Sequence, residues 1–119
     1  MPRDPRLYLW DIEEAIADIV AYAKGRNFAD YTSDRFVRRA VERNFETIGE
    51  AMIRLARHFP EEVEQITDYR QIIGLRNVIA HQYDGINNAI VWQVVESSLS
   101  SLQEEVVAMR QTLDAQDPL

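Results

Sequence analysis

The chain has 119 residues, 46% of them aliphatic or aromatic, and a formal net charge of −7. That fits one domain with a real core and excludes a disordered acidic tail. With no cysteine and only two histidines, a disulfide scaffold, a thiolate zinc site and a cysteine nucleophile are excluded, and a His-rich metal site is disfavoured.

Arg3, Asp4 and Arg6 precede the first apolar run, unlike a signal peptide, and no apolar run approaches the ~18 residues of a membrane span. The expectation is a cytoplasmic protein. Its acidity disfavours broad attraction to nucleic acid, leaving a local basic stripe or docking to a basic partner as routes to binding. Four Gly and four Pro in the whole chain favour long helices over many strands.

The first predicted helix runs from about Asp4 to Lys24, with Asp4 as N-cap, Pro5 as first helical residue and Gly25 as stop. Leu7, Ile12, Ile16, Ile19, Val20 and Ala23 form its apolar stripe. Phe28 to Tyr31 reads as a short docking turn. A second helix starts after Ser33 or Asp34 and reaches about Arg57, its apolar face made by Phe36, Val37, Ala40, Val41, Phe45, Ile48, Met52, Leu55 and Phe59. Gly49, in its middle, points to close helix–helix approach, because a mid-helix Gly otherwise costs ~1 kcal/mol against Ala.

A short helix follows at Pro60 to Ile66. A third long helix begins near Thr67 or Asp68 and ends near Ala80, since His81-Gln82-Tyr83-Asp84-Gly85 reads as a turn. Asn87 or Asn88 caps one last long helix to about Leu113, striped by Val91, Val94, Val95, Leu99, Leu102, Val106, Met109 and Leu113. No segment of adequate length alternates with period two. The fold class expected is all-α, a single domain over 1–119: an antiparallel four-helix bundle with an additional short helix.

Few groups are suited to chemistry. Glu13-Glu14, Glu61-Glu62 and Glu104-Glu105 read as solvated helix faces, and His58 as a group at a helix C-terminus. Arg76 and His81 stand apart. On one continuous helix they would point ~140° from one another. If the helix ends near Ala80, or if two copies of the segment face each other across a dimer, they converge. Histidine then serves as general acid or base, and arginine binds phosphate through its planar fork. Asn77 would orient either group, and Tyr83 would donate a phenolic hydrogen bond. Spacing alone leaves a structural or surface role for His81 open.

The run Ile73-Gly74-Leu75-Arg76-Asn77-Val78-Ile79-Ala80-His81-Gln82-Tyr83 resembles the signature of the HepT-like family of the HEPN superfamily: Arg, four residues, His, one residue, Tyr, with a polar residue directly after the Arg. Arg43-Asn44-Phe45-Glu46-Thr47-Ile48-Gly49-Glu50-Ala51 and Asp4-Pro5-Arg6-Leu7-Tyr8-Leu9 are similar to two further blocks of that family, in family order. The resemblance implies a helical homodimer with the motif near the dimer cleft, acting as a metal-independent endoribonuclease. It implies that this RNase is the toxin of a two-gene toxin–antitoxin system. By position, Arg76 would stabilise the phosphorane, His81 would be the acid–base residue and Asn77 would position them. The implied partner is an MntA-type minimal nucleotidyltransferase that transfers AMP to Tyr83, adding charge and bulk that block RNA.

Two further expectations concern the second helix. Glu46 and Glu50 lie one turn apart, and either orient Arg76 or pair with Arg43 and Arg54. Arg35, Arg38, Arg39 and Arg43 form the best basic stripe, expected to line the RNA path, with a solvated charged face as the other reading. Trp10 and Trp92 are candidates for the dimer interface or for the core. The competing functional reading is a non-catalytic helical dimer that binds a nucleotidyltransferase. A nucleic-acid-binding protein without cleavage suits the −7 charge poorly.

Overall fold

Side-chain caps encoded in the sequence start four of the helices. The computed structural model describes residues 4–80 and 85–118. Among these there are seven helices and no strand. The Asp4 carboxylate accepts the Arg6 backbone N–H at 2.9 Å, and Pro5 opens α1 (Pro5–Ala23). Gly25, at φ +76°, follows its end, where a side chain would be strained.

The segment expected as a docking turn folds as a helix, α2 (Phe28–Ser33). Asn27 and Asp30 close a reciprocal capping box, with bonds of 2.8 and 3.0 Å, which satisfies two otherwise orphaned donors. Asp34 caps α3 (Arg35–His58) by accepting the Val37 N–H at 3.1 Å. Arg57 and His58 lie in its last turn, where positive charge suits the carbonyl end of the helix. Pro60 opens α4 (Pro60–Val63), shorter than the expected run to Ile66. α5 (Tyr69–Ala80) carries the first part of the motif.

The single last helix expected from the apolar stripe is two helices, α6 (Asn88–Ser97) and α7 (Leu99–Gln116). Asn87 caps α6 by accepting the N–H groups of Ala89 and Ile90. Ser98, at φ −119° and ψ −25°, separates the two. The Ser97 hydroxyl donates to the Gln93 carbonyl just before it, and backbone bonds continue across it, from the Ser98 N–H to the Val94 carbonyl and from the Leu102 N–H to the Ser98 carbonyl.

The core runs through the centre of these elements. Tyr8, Leu9, Ile12, Ile16 and Ile19 of α1 meet Val41, Phe45, Ile48, Met52 and Leu55 of α3, with Ile79, Val91, Leu99 and Val106 closing it. Burying each such aliphatic side chain contributes ~1.5–3 kcal/mol. Leu7, Val20 and Phe36 are exposed, contrary to the apolar faces read from the sequence, Phe36 to 89%. Each successive residue turns by about 100°, so Leu7 and Phe36, next to buried Tyr8 and Val37, fall off the buried arc.

α1 packs on α3 and on α7, and α3 packs on α5. The Tyr8 and Phe59 rings, 6.5 Å apart, set the start of α1 beside the end of α3. Arg6, nearly buried, reaches Asp114 at 3.1 Å and the Asp117 carbonyl at 2.6 Å, so the start of α1 also lies beside the end of α7. Arg6 holds the Asp4 carboxyl below its ordinary range through side-chain and backbone hydrogen bonds. Further along the seam, Glu13 receives two bonds from Arg110, at 2.5 and 3.0 Å. Glu13, its side chain 15% exposed, is therefore not part of a solvated face, whereas Glu105, half-exposed, accepts the Thr67 N–H at 2.8 Å. Both carboxylates face a donor that only the tertiary fold brings to them. On the other side, Tyr31 of α2 stacks on Trp92 of α6 with ring centroids 5.0 Å apart. Among the described residues, no helix is long and apolar enough to cross a membrane.

Candidate functional site

Arg76 occupies a seat shaped by a missing side chain. Ile72, Leu75 and Ile79 turn α5 toward the core, which leaves Arg76 facing α3. There it lies directly over Gly49. A Cβ at position 49 would come within 2.2 Å of the Arg76 Cβ and 2.5 Å of its Cγ. Only glycine permits this approach, as the sequence reading of Gly49 expected.

The Arg76 guanidinium makes two side-chain hydrogen bonds. One nitrogen donates to Glu50 Oε2 at 3.2 Å and another to Asn77 Oδ1 at 3.2 Å. The second oxygen of Glu50 binds the Arg54 guanidinium, at 3.3 Å. The two roles weighed for Glu50, holding Arg76 or pairing with Arg54, are thus filled by one carboxylate. Glu46 lies one turn away, on the wall of the same groove.

That groove has a volume of about 340 Å³. α1 contributes Tyr8 and Asp11, α3 contributes Arg43, Glu46, Thr47, Glu50, Ala51 and Arg54, and α5 contributes Arg76. The three sequence blocks that are far apart in the chain therefore meet here. Three arginines and three carboxylates line the groove, making it formally neutral on a chain of net charge −7. A guanidinium on a rigid seat, partly open to solvent, can present its planar donors to a phosphate or carboxylate.

The four arginines of the basic stripe read from α3 meet different neighbours. Arg43 enters the groove beside Arg76. Arg38 donates to the Thr32 carbonyl, and Arg39 pairs with Glu42 at 2.9 Å. Arg35 sits in a separate surface hollow with Arg26, Asp34 and Phe36. The i, i+3, i+4, i+8 spacing keeps these side chains within about 140° of the helix circumference, but nearby acceptors engage Arg38 and Arg39. Sequence reasoning noted Arg54 only as a pair for a carboxylate. Its spacing from Arg43, three turns along the same face of α3, was the available signal. Nothing in the sequence marks Asp11 as a groove residue.

His81 and Tyr83, the expected acid–base and modified residues, lie outside the described residues, as do Gln82 and Asp84. α5 leads into them through Ala80, and Gly85 to Asn87 lead on to α6. Of the two tryptophans, Trp92 is core and Trp10 is 51% exposed on α1. A second, larger hollow of about 570 Å³ separates α5 from α6 and α7, walled by Leu75, Val78, Ile90, Val94, Ser98 and Leu102 among others.

The model of the HepT-like family, described as ribonuclease HepT-like, matches residues 12–109. A protein of Methanocaldococcus jannaschii, named as a candidate RNase, is 30% identical over 104 residues, 87% of this chain and 94% of that protein. A second such protein, from Caldanaerobacter subterraneus subsp. tengcongensis, is 31% identical over 87% of this chain and 92% of its own length. A Thermococcus cleftensis protein named "Probable ribonuclease HepT" is 30% identical over 92% of this chain and 99% of its own. No solved structure shows a significant match. With a family model spanning residues 12–109 and relatives alike over nearly their full length, the chain belongs to the HepT-like ribonuclease family.

Proposed function

We propose that this protein is a metal-independent endoribonuclease, the toxin of a toxin–antitoxin pair, with Arg76 and His81 as its catalytic residues. In this reading His81 takes the proton of a ribose 2′-hydroxyl. The freed oxygen attacks the adjacent phosphorus, and the 5′-oxygen leaves with a proton returned by an acid. Negative charge grows on the non-bridging oxygens during attack, and the Arg76 guanidinium meets it. Asn77 steadies that guanidinium through its side-chain oxygen.

The observation that carries this reading is the seat of Arg76. Gly49 lets α5 close on α3, and the guanidinium is delivered to a groove shared by all three family blocks. The ribonuclease names of the relatives agree with it. Control is assigned to Tyr83: AMP added there by an MntA-type nucleotidyltransferase places a phosphodiester charge and a purine beside His81, which opposes RNA by charge and by bulk. The active form is a homodimer, in which a second copy walls the motif from water.

Cleavage of RNA in the presence of a chelator, by wild type and by the His81→Ala and Arg76→Ala variants, tests the chemistry. Wild-type cleavage lost in both variants is the expected result. A strict need for divalent metal, or activity surviving both substitutions, would contradict it. Folded, unmodified wild type that neither cleaves RNA nor harms an expressing cell would instead favour a binding module for the nucleotidyltransferase. Intact mass after coexpression with a nucleotidyltransferase tests the control half. The expected gain is a multiple of AMP, absent from Tyr83→Phe.

A further inference from the structure

We infer that Arg54 and Arg76 form a two-arginine fork for a phosphodiester of the bound strand, and that Glu50 is the anion filling this fork in the free protein. The inference rests on the ribonuclease reading and adds a substrate-binding residue and a competing group to it. Its basis is the shared carboxylate. Glu50 Oε2 binds Arg76 at 3.2 Å and Oε1 binds Arg54 at 3.3 Å. Two guanidiniums from different helices therefore converge on one group carrying two acceptor oxygens and one negative charge. A phosphodiester offers the same pattern in its two non-bridging oxygens, and planar guanidinium forks suit both.

The carboxylate is replaceable. Glu50 and Arg54 side chains are 43% and 54% exposed, and ion pairs at such exposure are weakly held. The groove continues along α3 from Arg54 past Glu50 to Arg43, ~16 Å at the helical rise. A strand laid there passes more than one cation. Arg76 meets the reacting phosphate. Arg54 holds the strand beside it.

The test is the affinity of a fluorescein-labelled 2′-O-methyl RNA oligonucleotide, which lacks the free hydroxyl needed for cleavage, read by anisotropy across a salt series. Arg54→Ala is expected to weaken binding severalfold and to reduce the slope of log affinity against log salt by about 0.7, the share of one phosphate on a single strand. Arg54→Lys should fall between, and Glu50→Gln should tighten binding. Thermal melts confirm that the variants are folded. Wild-type affinity and slope in Arg54→Ala, or weaker binding by Glu50→Gln, would overturn the fork while leaving the ribonuclease reading standing. Wild type that binds no oligonucleotide overturns both.

Discussion

The two sides of α5 are built on opposite terms. Toward α3 the helices approach so closely that a methyl group at Gly49 has no room. Toward α6 and α7 a hollow of about 570 Å³ intervenes. The closed side is the one that holds Arg76. Rigid placement of a charged side chain needs one well-packed seam with fixed partners, and α5 makes its glycine contact there. The open side keeps Val78 and Ile90 half exposed and fixes no catalytic group among the described residues.

Substitution at the two glycines nearest this contrast should separate the sides. Gly49→Ala places a methyl group where the Arg76 side chain already lies, so a cost of ~1–3 kcal/mol or more is expected from overpacking. Chemical unfolding would measure it, and a displaced Arg76 should lower RNA cleavage in the protein that remains folded. Gly74 lies on α5 with nothing within 4 Å of the place an alanine methyl group would take. Gly74→Ala should therefore stabilise the helix by ~0.5–1 kcal/mol. Equal effects at both positions would mean that the α3 side is no tighter than the rest of α5.

A smaller effect belongs to a third seam, where Arg6 ties α1 to the end of α7. The Asp4 carboxyl beside it is depressed, so the unfolded chain binds the proton more readily than the folded one. This contribution is fully present above the ordinary carboxylate value of ~3.9 and is lost as pH falls through the lower folded value. A stability-against-pH curve for Asp4→Asn should be flatter than wild type in that acid window and unchanged in slope near neutrality.

Much of this was legible in local sequence, and the reasons are physical. Asp4-Pro5, Asp34 and Pro60 mark helix starts because caps act within one turn. Gly49 could be read as a contact because a mid-helix glycine is costly without one. The break at Ser98 was not legible because the apolar stripe continues across it. At the site, Arg76 and Asn77 followed from the motif. Glu50 was named both as a support for Arg76 and as a pair for Arg54, but as alternatives; that one carboxylate serves both depends on how α5 packs across α3. The environments of Arg38, held by the Thr32 carbonyl of α2, and of Arg43, in the groove with α1 and α5, depended likewise on neighbours from other elements.

Central to the proposed chemistry is that α3 and α5 hold the Arg76 guanidinium where charge develops on the phosphate. Single-turnover cleavage of RNA by Arg76→Lys, in chelator and with folding confirmed by thermal melt, tests it most directly. Lysine keeps the charge but lacks the planar fork. The expected rate is lower than wild type by about 10²–10³, the scale for losing one preorganised donor at a developing anion. A wild-type rate in Arg76→Lys would contradict it.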